Sequence, residues 1–129
     1  MTGRAARTPK AFIKMLQGTI DSIGSLEKEA QAAVEKRDND AYVTYMYQKA
    51  KILTGVYDQA DSFLDAMDDN DAVNYAERSL LAFAKSAKHA LDLDSVFYMS
   101  ALLYPETHKA GDPNTLEVFR DEMKKRLGL

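Results

Sequence analysis

Two histidines, His89 and His108, are the residues of this sequence best suited to catalytic or metal chemistry. A di-iron helical bundle needs a Glu-x-x-His pair on each of two helices. The residues three positions before the histidines are Ser86 and Pro105, so neither histidine fits that pattern. Cysteine is absent, which excludes disulfides, thiolate catalysis and Cys-ligated zinc, and no G-x-S-x-G elbow is present. We therefore predict no catalytic residue, cofactor or metal site, and we expect a protein that is not an enzyme.

A run of aspartates is the sharpest charge feature of the chain. Asp58, Asp61, Asp65 and Asp68 recur at helical spacing on one face, and no basic residue occurs between Lys51 and Arg78. Such a face can be a solvated surface that also caps a helix, a docking face for a basic partner, or a divalent-cation site. An EF-hand loop is excluded, because its glycine and terminal glutamate are not at the required offsets.

Both ends of the chain are basic. Arg4, Arg7, Lys10 and Lys14 precede the first acidic residue, and residues 124–126 are Lys-Lys-Arg. Such ends could contact phosphates, although no helix-turn-helix, zinc-finger or single-strand-binding motif accompanies them. A nucleic-acid-associated accessory protein is therefore the alternative function.

Two groups of apolar and aromatic residues are candidate contact surfaces for a partner. Tyrosines at 42, 45 and 47 cannot all face one helical seam, and residues 96–103 are apolar nearly all round. Tyrosine is enriched in interfaces, because it offers a large, stiff contact area with a polar tip. The predicted partner surface consists of Tyr42, Tyr45, Tyr47, Phe97, Tyr98 and Leu102. Full burial of the 96–103 segment is difficult in so small a domain, so we expect a homodimer.

The elements that position these residues are helices. Apolar residues recur at three and four positions from Ile13 onward, and no proline occurs between Pro9 and Pro105. Thr8-Pro9 is typical of a helix start, and Asn114 with Glu117 forms a capping-box pattern. We predict an all-α antiparallel bundle of four main helices, at about 9–37, 40–67, 71–91 and 95–103, with a C-terminal helix at about 115–127.

Three glycines fall inside the predicted helices. Gly18, Gly24 and Gly55 are flanked by periodic apolar residues rather than forming a glycine-rich phosphate loop. We expect them to allow neighbouring helices to approach closely.

Length and composition favour one globular domain. The chain has 129 residues, of which 46% are apolar and 29% charged, so a packed core is expected. We predict a single domain over residues 1–129, with residues 1–7 as a flexible basic tail. No signal peptide or membrane span is recognisable, so we expect a cytoplasmic protein without a membrane partner.

Residues 26–53 resemble the helical hairpin of helical-bundle chaperones and repeat adaptors, a group that includes flagellar export chaperones. The resemblance lies in Glu-Lys-Glu-Ala at 27–30, Lys-Arg-Asp-Asn-Asp-Ala at 36–41 and Gln-Lys-Ala at 48–50. It implies a protein that binds another protein and assigns no residue a role. The sequence thus favours a non-enzymatic adaptor, chaperone or assembly factor.

Overall fold

The computed structural model describes residues 7–129 as helices joined by short connections. Residues 1–6, which make up most of the predicted basic tail, lie outside the described residues. The helices are α1 (Pro9–Glu35), α2 (Asn39–Thr54), α3 (Val56–Asp65), α4 (Asn70–Asp92), α5 (Val96–Ala101) and α6 (Thr115–Arg126). Residues 7–129 contain no strand. The predicted all-α bundle with a C-terminal helix is confirmed.

Helix starts coincide with side chains that can cap them. The residues that accept a hydrogen bond from a backbone N–H of the first turn are Thr8, Asp38, Asp69, Ser95 and Asn114. The predicted capping box is complete: Asn114 Oδ1 accepts from the Glu117 N–H, and Glu117 Oε1 accepts from the Asn114 N–H, both at 2.9 Å. Each cap stabilises its helix by about 1 kcal/mol, because it satisfies a backbone donor that the helix itself cannot.

The predicted second helix is divided at Gly55. The Gly55 N–H donates to the Ile52 carbonyl at 3.2 Å, a tighter i to i−3 bond, before α3 begins. Apart from proline, glycine has the weakest preference for the helical interior. Gly55 has a φ of −95°, which any residue can adopt, so the break reflects low propensity rather than a need for left-handed backbone.

Contacts between helices show that α2 and α3 both run antiparallel to α1. Glu27 of α1 pairs with Lys49 of α2, whereas Phe12, near the start of α1, lies 5.9 Å from Phe63, near the end of α3. Helix α6 returns along α4, because Phe119 contacts both Tyr75 and Phe83 while Arg126 lies over Tyr75 alone. The start of α1, the end of α3, the start of α4 and the end of α6 therefore lie at one end of the bundle.

The buried face of α1 follows a heptad-like spacing. Its buried residues are Phe12, Leu16, Thr19, Ile23, Ala30 and Ala33. Val34 is apolar but 50% exposed, because the buried face of α1 passes through Ala33 instead. None of the helices within residues 7–129 combines the length and apolar character needed to cross a bilayer.

The expected role of the α1 glycines is wrong. A methyl group added at Gly18 or Gly24 would meet no neighbouring atom within 4 Å, so these positions do not bring helices together. At Gly55 such a methyl would lie 3.8 Å from the Ile52 carbonyl oxygen, an ordinary contact.

Gly18→Ala is expected to raise the free energy of unfolding by about 1 kcal/mol, because alanine has a higher helical propensity and the added methyl meets no obstacle. Gly111→Ala is the matched control. Gly111 has a φ of +92°, so the same change should destabilise the protein there. Urea denaturation followed by circular dichroism measures both, and a loss of stability in Gly18→Ala would contradict the assignment of open space.

Candidate partner-binding groove

An apolar groove of about 510 Å³ lies between α4, α5 and the residues that follow α5. Its apolar and aromatic lining consists of Leu53, Ala82, Phe83, Tyr98, Ala101, Leu102, Leu103, Tyr104 and Pro105. The polar side chains along it are Ser86, His89 and Thr115. A mostly apolar lining with a few polar groups is typical of binding clefts, which measure roughly 300 to 1,000 Å³.

Helix α5 has one face in the core and one in solvent. Met99 is fully buried, whereas Phe97 is 66% and Tyr98 51% exposed. The Phe97 and Tyr98 rings lie 5.8 Å apart, and Tyr98 stacks with His89 of α4 at 6.4 Å. We call Phe97, Tyr98 and His89 the aromatic ridge. Large apolar side chains exposed beside an apolar groove are a common mark of an interaction site.

Leu103, in the wall of the groove, has an unusual backbone. Its φ is 76°, in the left-handed region that leucine rarely occupies, at a cost of roughly 1 to 3 kcal/mol. Burial of the side chain and a 3.0 Å hydrogen bond from the Thr115 N–H to the Leu103 carbonyl offset this cost. Helix α5, predicted to reach residue 103, consequently ends at Ala101.

A buried lysine supports the groove from behind. Lys49 is 1% exposed, and its Nζ lies 3.1 Å from Glu27 Oε2. The same Nζ donates to the Ser100 carbonyl at 3.1 Å and lies 5.0 Å from the centroid of the Tyr104 ring. The Tyr104 hydroxyl donates to Glu27 Oε1 at 2.7 Å. We call Glu27, Lys49 and Tyr104 the buried triad; it links α1 and α2 to the groove wall.

The environment of the triad shifts the pKa values of two of its members. Burial lowers the pKa of Lys49, although the neighbouring Glu27 carboxylate opposes this shift. Burial and the hydrogen bond to Glu27 raise the pKa of Tyr104. The three N–H bonds of Lys49 are matched by a carboxylate, a carbonyl and an aromatic face. Lys49 therefore joins α1, α5 and the turn after α5 through its ammonium group.

The predicted partner surface falls into two places. Tyr98 and Leu102 line the groove, and the Phe97 ring lies 5.8 Å from that of Tyr98. In contrast, Tyr42, Tyr45 and Tyr47 are half-buried against a small core cluster around Met46 and Met99. Tyr42 borders a separate pocket of about 210 Å³ beside Lys49, and none of the three tyrosines lines the groove.

The acidic face is solvated along α3 and the turn after it. Asp58, Asp61, Asp65 and Asp68 are all exposed. Together with partial burial, negative charges that include Asp61 and Asp58 raise the pKa of Tyr57. Within residues 7–129 no group of three or more potential ligand side chains is placed to hold a metal ion.

Among the described residues, Lys10 and Lys14 at the start of α1 and residues 124–126 at the end of α6 lie at the same end of the bundle as the end of α3. Arg120 Nη1 donates to Gln17 Oε1 at 2.8 Å, which joins α6 to the first half of α1. Arg126 is engaged locally: it pairs with Glu122 at 2.9 Å and lies 4.3 Å from the centroid of the Tyr75 ring.

Sequence reasoning missed the buried triad. Its only visible signal was Glu27, which interrupts the apolar spacing of α1. A search for an opposite charge across the predicted α1–α2 hairpin would have pointed to Lys49, which directly precedes a seam alanine. Tyr104 could not have been found in this way, because it lies 77 positions from Glu27 in the chain.

Removing one partner of the buried pair should be costly. Glu27→Leu is expected to destabilise the protein by about 3 kcal/mol, because Lys49 stays buried without its counter-charge. The double variant Glu27→Leu, Lys49→Met should regain most of that loss, since no unpaired charge remains. Urea denaturation of both variants measures these changes. Glu29→Leu is the exposed control, and its free energy of unfolding should change by less than about 0.5 kcal/mol. Additive losses in the double variant would contradict it.

Alkaline pH should expose the role of Tyr104. The folded state holds the Tyr104 proton that the unfolded chain loses from about pH 10 upward, so this residue's contribution to stability falls as pH rises through that range. Lys49 acts with the opposite sign, because its lowered pKa makes stability rise as pH approaches the ordinary lysine value of 10.5. Tyr104→Phe leaves Lys49 in place. Between about pH 9.5 and 11, its free energy of unfolding should decline less steeply than that of the unchanged protein. Urea denaturation at several pH values gives both slopes, and parallel slopes would count against the assignment.

Comparison of the chain with protein-family models, with curated proteins and with solved structures found no match.

Proposed function

We propose that this protein is a cytoplasmic, non-enzymatic interaction module, of the adaptor, chaperone or assembly-factor kind, that receives an apolar segment of another protein. The observation that carries the proposal is the aromatic ridge beside the groove: Phe97 and Tyr98 are more than half exposed next to an apolar cleft of about 510 Å³. A partner that covered an exposed phenylalanine completely would gain roughly 1.5 to 3 kcal/mol of binding free energy.

The shape of the groove supports an extended or helical segment as its occupant. One wall is a helix, α4, and the other is α5 with the turn that follows it. An amphipathic helix binds such a groove by inserting side chains from one face at intervals of three and four residues. The groove presents the apolar surface that this binding mode requires.

Rigidity of the groove also supports binding. The buried triad holds Ser100 and Tyr104, and the Thr115 hydrogen bond holds Leu103. A partner that binds a preformed wall need not order it, which lowers the entropic cost of association.

Self-association and nucleic-acid binding remain predictions. A second copy could cover Phe97 and Tyr98, as expected for a homodimer. Nucleic-acid binding has less support, because the aspartates of α3 lie at the same end of the bundle as Lys10 and Lys14 and weaken their attraction for phosphate.

Blocking the groove should abolish partner binding without unfolding the protein. Selection of displayed amphipathic peptides against the full chain is expected to yield binders. Their affinity should fall at least about tenfold with Ala82→Gln, whose larger side chain fills the groove, and also with Phe97→Ser. Val34→Ser, a matched change at an exposed valine of α1, should leave affinity unchanged. Anisotropy titrations measure the affinities.

Two results would contradict this proposal. The first is a set of binders that are indifferent to Ala82→Gln. The second is a dimer, seen by light scattering, that Phe97→Ser dissociates, because a second copy would then be the natural occupant of the groove.

A further inference from the structure

We infer that the groove is pH-sensitive: His89 must be uncharged for a partner to occupy it, so the affinity for the partner falls as the solution becomes acidic. This inference rests on the proposed function and concerns the regulation of the same site. Among the described residues that line the groove, His89 is the only one of a type that changes charge between about pH 5 and 8.

The imidazole of His89 belongs to the wall that α4 forms. Its ring centroid lies 6.4 Å from that of Tyr98, and the two ring planes are inclined by 22°, so the rings stack between α4 and α5. Within residues 7–129 the imidazole makes no hydrogen bond and no ion pair. His89 is exposed, so water solvates the ring nitrogens in the free protein.

The surroundings on α4 allow the free protein to hold a proton on His89. The residue lies in the last turn of α4, where the negative end of the helix dipole favours a cation. On the same helical face, Lys85 one turn earlier disfavours a positive charge and Asp92 three residues later favours it. Lys88 precedes His89 in the chain and points to a different face of the helix.

The other elements around the groove bring no further group that titrates in this range. Tyr98 and Tyr104 are phenols, a type that ordinarily keeps its proton below about pH 9. The lining residues from α2 and α6 are a leucine and a threonine. Lys49 of α2 lies behind the wall, with its ammonium 3.1 Å from a carboxylate oxygen. Glu106 is exposed after Pro105 and does not line the groove.

A partner that fills the groove removes water from the imidazole. Covering a charged group with apolar atoms and no counter-charge is costly, whereas a neutral imidazole stacked on Tyr98 tolerates an apolar neighbour. The apolar segment of the proposed function brings no carboxylate, so a protonated His89 must release its proton when the segment binds. Release of one proton makes the affinity fall by up to about tenfold between about pH 7.5 and 5.5.

The experiment uses a groove-binding peptide from the selection described above that contains no Asp, Glu or His and has both termini blocked, so that its own charge is constant. Anisotropy titrations with the full chain at about pH 7.5, 6.5 and 5.5 should show a loss of affinity of about five- to tenfold. His89→Gln should bind at every pH about as tightly as the unchanged protein does at the highest pH. His89→Lys, which is charged throughout this range, should bind weakly at every pH.

The matched control is His108→Gln. His108 is the other histidine of the chain, and its ring lies 4.9 Å from that of Tyr104 without lining the groove. This variant should keep the pH dependence of the unchanged protein. Circular dichroism at each pH confirms that every variant is folded.

Three results overturn the inference while leaving the proposed function intact: an affinity that does not change with pH, a pH dependence that survives His89→Gln, or one that His108→Gln removes. Failure of the selection to yield any groove-binding peptide overturns the proposed function itself.

Discussion

The arrangement of α1, α2 and α5 depends on the burial of one ammonium group. Withdrawing the Lys49 charge from water costs several kcal/mol, and only a close counter-charge together with further partners offsets that cost. The structure supplies Glu27 from α1, the Ser100 carbonyl from α5 and the face of Tyr104. A different packing of these helices that separated Lys49 from Glu27 would leave a buried charge unpaired. The triad therefore favours this arrangement over nearby alternatives.

Because Tyr104 belongs to both the triad and the groove, core electrostatics and the proposed binding surface are connected. Helix α5 has six residues and contributes little helical stability of its own. Its position is set by Met99 in the core, by Ser100 on Lys49 and by the left-handed Leu103 that follows it. With its inner face held, its outer face exposes Phe97 and Tyr98 in a fixed orientation.

Charge is distributed unevenly along the bundle. The aspartates of α3 and the lysines at the start of α1 lie at the same end, because α1 and α3 are antiparallel. Their fields partly cancel at that end of the bundle. The groove lies towards the other end of the bundle, beside the second half of α4.

The sequence by itself determined the elements. Caps such as Thr8 and Asn114, and apolar spacing through Met46, Ala50 and Leu53, act over one or two turns and are therefore visible in the linear chain. The exposure of Phe97 and Tyr98 was partly foreseeable, because a short helix that is apolar nearly all round cannot be fully buried in a small domain.

Tertiary structure alone decided which apolar residues line a groove and that Lys49 is buried. It also separated the three tyrosines of α2 from the surface formed by α5. These features depend on contacts between residues far apart in the chain, as between Glu27 and Tyr104. Local periodicity reports which face of a helix is buried but not which neighbour covers it.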